Sequence, residues 1–171
     1  MLSQLHRDRI TKLRDTLLQV PASRFNMNTW GHRDRRIAIE GMRPETVKLE
    51  DLECGFAGCV YGHFPTAFWD EGWRWIKMGL PLPPGVLAID VLDTEPVEVM
   101  ADFLGLTVEQ AAYVALPEAY YGELESAEYV AGWVKLITPE VAAGHLTEIL
   151  RCDAEGVGLP EFTDGDADED D

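Results

Sequence analysis

The chain has 171 residues, 46% of them apolar and five of them Trp. That suits one domain burying roughly two-thirds of its unfolded surface, and no window approaches the ~18 consecutive apolar residues of a membrane span. Charges in Met1–Arg9 stand where a secretory signal needs an apolar run, and three Cys are too few for a disulfide scaffold; the expectation is a soluble cytoplasmic protein. The net charge of −17 is uneven: residues 1–48 hold ten of the fourteen Lys and Arg against five acids, residues 49–171 hold four against twenty-six, and the last eleven residues have seven acids and no base. Such a field repels nucleic acid and attracts basic surfaces.

Ile10, Leu13, Leu17 and Val20 are spaced three, four, three, which predicts an amphipathic helix from about Ser3 to Val20, stopped by Pro21. Asp8 and Lys12 are placed for an i,i+4 pair. Arg7 and Arg14 fall on the opposite face, read as a solvated basic face that offsets the acidic body rather than as a nucleic-acid arm. Phe25 to Gly31 has no period and reads as a loop anchored by aromatics. Arg36–Glu40 and Thr46–Leu49 flank Gly41-Met-Arg-Pro44 and would pair as a short hairpin. Asp51 or Glu53 would cap a helix beginning near Cys54.

After Pro65 come Phe68, Trp69, Trp73, Trp75 and Ile76; Trp69 and Trp73, four apart, would share a helical face packed into the core. Pro81-Leu-Pro-Pro-Gly85 is a breaker cluster, and Val86–Leu92 reads as one isolated strand. Thr94 or Glu95 before Pro96, with Gly105 as the left-handed cap, frames a helix. Thr107 with Gln110 makes a capping box for the next. Ala127–Ile137 reads as a helix or a strand. Thr138-Pro139-Glu140 opens a last helix with Ala142, Leu146, Ile149 and Leu150 as its buried face. From Asp153 the apolar signal fades, and the acidic end reads as a disordered tail.

The stretch Cys54 to His63 holds two thiols, three glycines and a histidine. On a helix Cys59 and His63 lie about 40° apart and would share an ion, but Cys54 and Cys59 lie about 140° apart. They converge only if Cys54 sits at the cap, and a structural zinc needs a fourth ligand from His32, His145 or Cys152. The spacing matches no standard zinc motif. Gly55, Gly58 and Gly62 at i, i+3, i+7 instead make a face with almost no side chain, against which another backbone or a Trp would pack, with Cys as a small hydrophobe. Close packing is the preferred reading, with no metal or other cofactor.

Ala101 to Ala111 has the spacing of a helix-turn-helix, but the would-be recognition helix carries Glu109 and neither Lys nor Arg, which argues against DNA reading. No G-x-S-x-G, P-loop or H-E-x-x-H motif is present. A Cys59–His63 thiolate pair would need a lowered thiol pKa, which burial opposes. No catalytic residue is assigned.

Asn28-Thr-Trp30-Gly31, Cys54-Gly55-x-x-x-Cys59-x-x-Gly62, Leu104-Gly-Leu-Thr107-x-x-Gln110-Ala111 and Thr138-Pro-Glu, in that order, resemble the pattern of an uncharacterised group of small proteins encoded largely by tailed phages and prophages. The likeness covers most of residues 25 to 150. It implies a mostly helical domain and a phage accessory role. Members of that group often carry Trp where His63 stands, which further weakens the metal reading. This chain departs in Phe56 for the usual Thr, in added length between Trp30 and Cys54, and in its acidic tail.

The fold expected is mainly α: a compact single-domain helical bundle with a minor β element, residues 1–152, followed by an acidic tail, 153–171. The function expected is non-enzymatic: binding the basic surface of a host protein, with a DNA-mimic-like inhibitor of nucleic-acid or defence machinery as one form of it. Partner contacts are assigned to Glu118, Glu123, Glu125 and Glu128 and the tail, with no direct nucleic-acid or membrane binding. The alternative is a small enzyme or metal-stabilised protein using Cys54, Cys59 and His63.

Overall fold

The computed structural model describes residues 1–22, 25, 46–47, 59–76, 81–87, 95–116 and 137–162. These are mainly helical, with a minor strand element, as the periodicities predict. Helix α1 spans Gln4–Leu17. Ser3 caps it, its hydroxyl accepting from the His6 N–H at 3.2 Å. The helix ends three residues earlier than the apolar spacing suggests. The N–H groups of Gln19 and Val20 bond to the carbonyls of Thr16 and Leu17; these tighter i→i+3 bonds close the last turn before Pro21. Ile10, Leu13 and Leu17 have no exposed surface. They lie in one core cluster with Ala142, Leu146 and Ile149 of helix α5, Pro139–Glu155, the element α1 packs against most extensively.

The aromatic run does not form the single helix that its spacing suggests. A 3-10 turn, Tyr61–His63, leads into α2, Phe64–Phe68, and a second 3-10 turn covers Trp69–Glu71. Gly72 then takes φ +97°, a left-handed conformation open to Gly without a Cβ penalty. Its N–H bonds to the Trp69 carbonyl, and that of Trp73 to the Phe68 carbonyl. This reversal separates the two tryptophans: Trp73 is fully buried and Trp69 is 39% exposed. They share no face. Trp73 packs edge-on against Phe64, at 4.8 Å between ring centroids, and Phe103, at 5.1 Å.

Beyond the reversal the chain forms a small antiparallel sheet in the order β1-β2-β3: Thr46–Val47, Arg74–Ile76 and Pro81–Leu82. Thr46 faces Ile76 and Val47 faces Trp75; Arg74 faces Leu82 and Trp75 faces Pro81. Pro81 is tolerated because β3 is an edge strand with one paired side. Thr46 and Val47 thus pair with residues 75–76; the other expected hairpin arm, 36–40, lies outside the described residues. Val86 and Leu87 are not in a strand, and 88–92 lie outside.

The next two helices follow their punctuation closely. Helix α3 is Pro96–Leu104, with Pro at its first position. Gly105 caps it at φ +69°, its N–H bonding to the Asp102 carbonyl and the N–H of Leu106 to that of Ala101, the double bond pattern of a Schellman end. A Cβ on Gly105 would lie 1.9 Å from His6 Nδ1, so the turn also admits the close approach of α1. Helix α4, Val108–Ala115, opens with the capping box: the Gln110 N–H donates to Thr107 Oγ1 and the Thr107 N–H to Gln110 Oε1. At the start of α5 the Thr138 hydroxyl accepts from the Val141 N–H.

Helix α5 runs on to Glu155, past residue 153 where the tail is expected to begin. It ends at Gly156, φ +67°, with a second Schellman pattern: Gly156 N–H to Asp153 and Val157 N–H to Cys152. The chain then returns to α4. The Phe162 N–H bonds to the Glu109 carbonyl at 3.1 Å, and Gln110 Nε2 to Glu161 Oε1 at 3.1 Å.

Candidate functional site

Within the Cys–His stretch, residues 59–63 form an irregular residue, a turn and a 3-10 turn. The α-helical angle that brought Cys59 and His63 toward one ion therefore does not apply. Both are buried. The His63 ring stacks on Phe25, centroids 6.1 Å apart and planes within 10°. Burial pushes the Cys59 thiol up to about 11, so it stays protonated near neutral pH, neither nucleophile nor ready ligand. Burial, and then the neighbouring Cys59, push the Tyr61 phenol up as well. Gly62 is buried, in keeping with close packing; Cys54, Gly55 and Gly58 lie outside the described residues. Among the described residues, no three His, Cys, Asp or Glu side chains are placed to hold a metal ion. A cavity of about 10 Å³ is lined by Cys59, Tyr61, Pro96, Val97, Ala115 and Leu116. It has room for about one water molecule.

A second group of ionisable side chains lies between α4 and α5. His145 stacks on Tyr113 at 4.2 Å, with Nδ1 2.7 Å from the Tyr113 carbonyl. Burial lowers the His145 pKa, leaving it neutral at pH 7. Arg151 bonds to Glu148 and Glu155, and its hydrogen bonds hold the Glu148 carboxyl down at about 2. The Cys152 thiol lies 3.5 Å from Glu148 Oε1. These contacts fix rotamers along α5; they present no activated thiol.

The charge distribution is more informative. The cations of α1 offset acids of the chain, the role read for Arg7 and Arg14 from the sequence, and they do so in partly exposed ion pairs. Arg7 Nε donates to Asp153 Oδ2 at 2.5 Å. Arg9 bonds to Glu71 at 2.8 Å and to the Phe103 carbonyl at 2.9 Å, with its guanidinium 3.8 Å over the Phe103 ring. Lys12 reaches both oxygens of Asp70, at 2.6 and 2.8 Å, and this bond lowers the Asp70 pKa. Arg14 pairs with Asp15. The expected Asp8–Lys12 pair is replaced: Asp8 accepts from Gln4, and Lys12 turns across to the 3-10 segment. All four cations thus sit in ion pairs.

Asp153 is the one buried acid among the described residues. Besides Arg7 it accepts from the backbone N–H of Leu2 at 2.7 Å. That N–H first, and then Arg7, hold its carboxyl below the usual range. Sequence reasoning placed Asp153 in the tail. A signal was available, since an acid in the last turn of a helix opposes the macrodipole and calls for a partner.

The α3–α4 pair is the reverse case. Residues 95–116 contain four acids and no Lys or Arg. Glu95, Glu98, Asp102 and Glu109 are all exposed. Glu98 and Asp102 are four apart on α3 and share a face, with Glu95 at its N-cap. The Glu109 carboxyl is held below its ordinary value by its own backbone N–H and the Thr107 hydroxyl. Glu161 adds a further exposed acid beside α4. The i, i+3, i+7 spacing of 95, 98 and 102 makes this face legible in the sequence, although the partner contacts were assigned elsewhere. Glu118, Glu123, Glu125 and Glu128 lie outside the described residues, as do residues 163–171. No helix among the described residues is long and apolar enough to cross a membrane. Comparison with protein-family models, curated proteins and solved structures finds no match.

Proposed function

We propose that the chain is a non-enzymatic binding protein that engages a basic protein surface through its acidic exterior. We further propose that it does so in the phage-type accessory role which the motif order implies, as an inhibitor of host nucleic-acid or defence machinery. One observation carries the reading. The four cations of α1 are held in internal ion pairs, while the acids of α3 and α4 face solvent in a segment with no Lys or Arg. Over the described residues the outward field is therefore negative, which favours encounter with a positive patch and opposes nucleic acid. Glu118, Glu123, Glu125, Glu128 and the tail extend the same acidic chemistry in the sequence.

The test is affinity capture from host extract at about 50 mM and about 500 mM salt, between which the Debye length falls from ~14 Å to ~4 Å. A triple variant, Glu98→Gln, Asp102→Asn, Glu109→Gln, runs alongside, and duplex DNA is the counter-probe. The reading expects a basic protein retained at low salt, released at high salt and depleted with the variant, with no DNA bound. Retention that ignores both salt and the variant, or direct binding of DNA, overturns it.

A further inference from the structure

We draw no further inference here: the strongest candidate, the exposed acidic face of α3 carrying Glu98 and Asp102 with Glu109 of α4 beside it, belongs to the surface already described, and no bound ion or buried unpartnered group beside it shows what covers it.

Discussion

Replacing Asp153 should weaken the fold by an amount that the geometry lets us work out. The side chain is 1% exposed, whereas Arg7 is 37% exposed. In Asp153→Ala the Leu2 N–H loses its acceptor in a buried position, a cost of about 1–3 kcal/mol. The charge-assisted bond from Arg7 also goes, about 1.5–3 kcal/mol, but Arg7 can turn to water and recover part of that. The net expectation is a loss of about 2–4 kcal/mol. At ~2–4 °C per kcal/mol for a chain of this size, Tm falls by roughly 5–15 °C. Arg7→Ala should cost less, about 1–2 kcal/mol, because it leaves the Leu2 bond in place. The double variant should show coupling of about 1 kcal/mol.

The pH dependence follows from the lowered carboxyl. Between the folded pKa and the unfolded value of ~3.9, the unfolded chain binds the proton and the native chain does not, so stability rises with pH across that window. Asp153's contribution is complete above about pH 5 and is lost as pH falls through its folded pKa. Urea unfolding followed by circular dichroism, for wild type, Asp153→Ala, Asp153→Asn and the Arg7 variants at pH 7 and stepwise below pH 4, measures the gap directly. The gap should close as the pH falls. An Asp153→Ala midpoint equal to wild type, or a gap that stays constant with pH, refutes the account.

Gly105→Ala should be destabilising both through its left-handed backbone, about 1–2 kcal/mol, and through contact with His6; adding His6→Ala should recover only the contact part, read as two separate steps in Tm. Trp73→Ala should cost about 3–5 kcal/mol as a large core truncation, while Trp69→Ala should stay within about 1 kcal/mol; equal losses in denaturation would contradict the chain reversal at Gly72. Cys59 should be slow toward a maleimide in the native protein, because burial raises its thiol from 9.0 to about 11 and so cuts its thiolate roughly 100-fold; labelling of Cys59 at the same rate with and without denaturant, followed by peptide mass spectrometry, would show that the thiol is accessible. Thr107→Ala should cost about 1 kcal/mol through the lost cap, and a full-length thermal melt will register it.

The parts of this fold that were legible in the sequence are those whose causes are local. Thr107 and Gln110, Thr138 and Pro139, and Gly105 each act within a few residues, so cap and helix edge could be read together. The apolar spacing of α1 marked its buried face for the same reason. The turn at Gly72 was missed because the four-residue interval between Trp69 and Trp73 imitates a helical face, and one glycine outweighs that periodicity. The three residues of β2 are too few to show a two-residue period. Ion pairs were the least visible: Lys12 and Asp70 are 58 residues apart, and Arg7 and Asp153 are 146 apart, so for these two bases nothing near α1 announces the partner. The candidate surface followed the same rule. The acidity of the chain was plain from composition and the spacing of the α3 acids from the sequence, but that α1's cations pair with other acids is seen only in the fold.

The ion pairing of α1 also bears on how this protein should respond to polyanions. Arg7, Arg9, Lys12 and Arg14 are engaged in the native state and released together when the chain unfolds. Unfolding frees these four bases for a polyanion such as heparin, and a ligand that prefers the unfolded state lowers apparent stability by mass action. Through these four bases a polyanion should lower the melting temperature, the reverse of its effect on a nucleic-acid-binding protein.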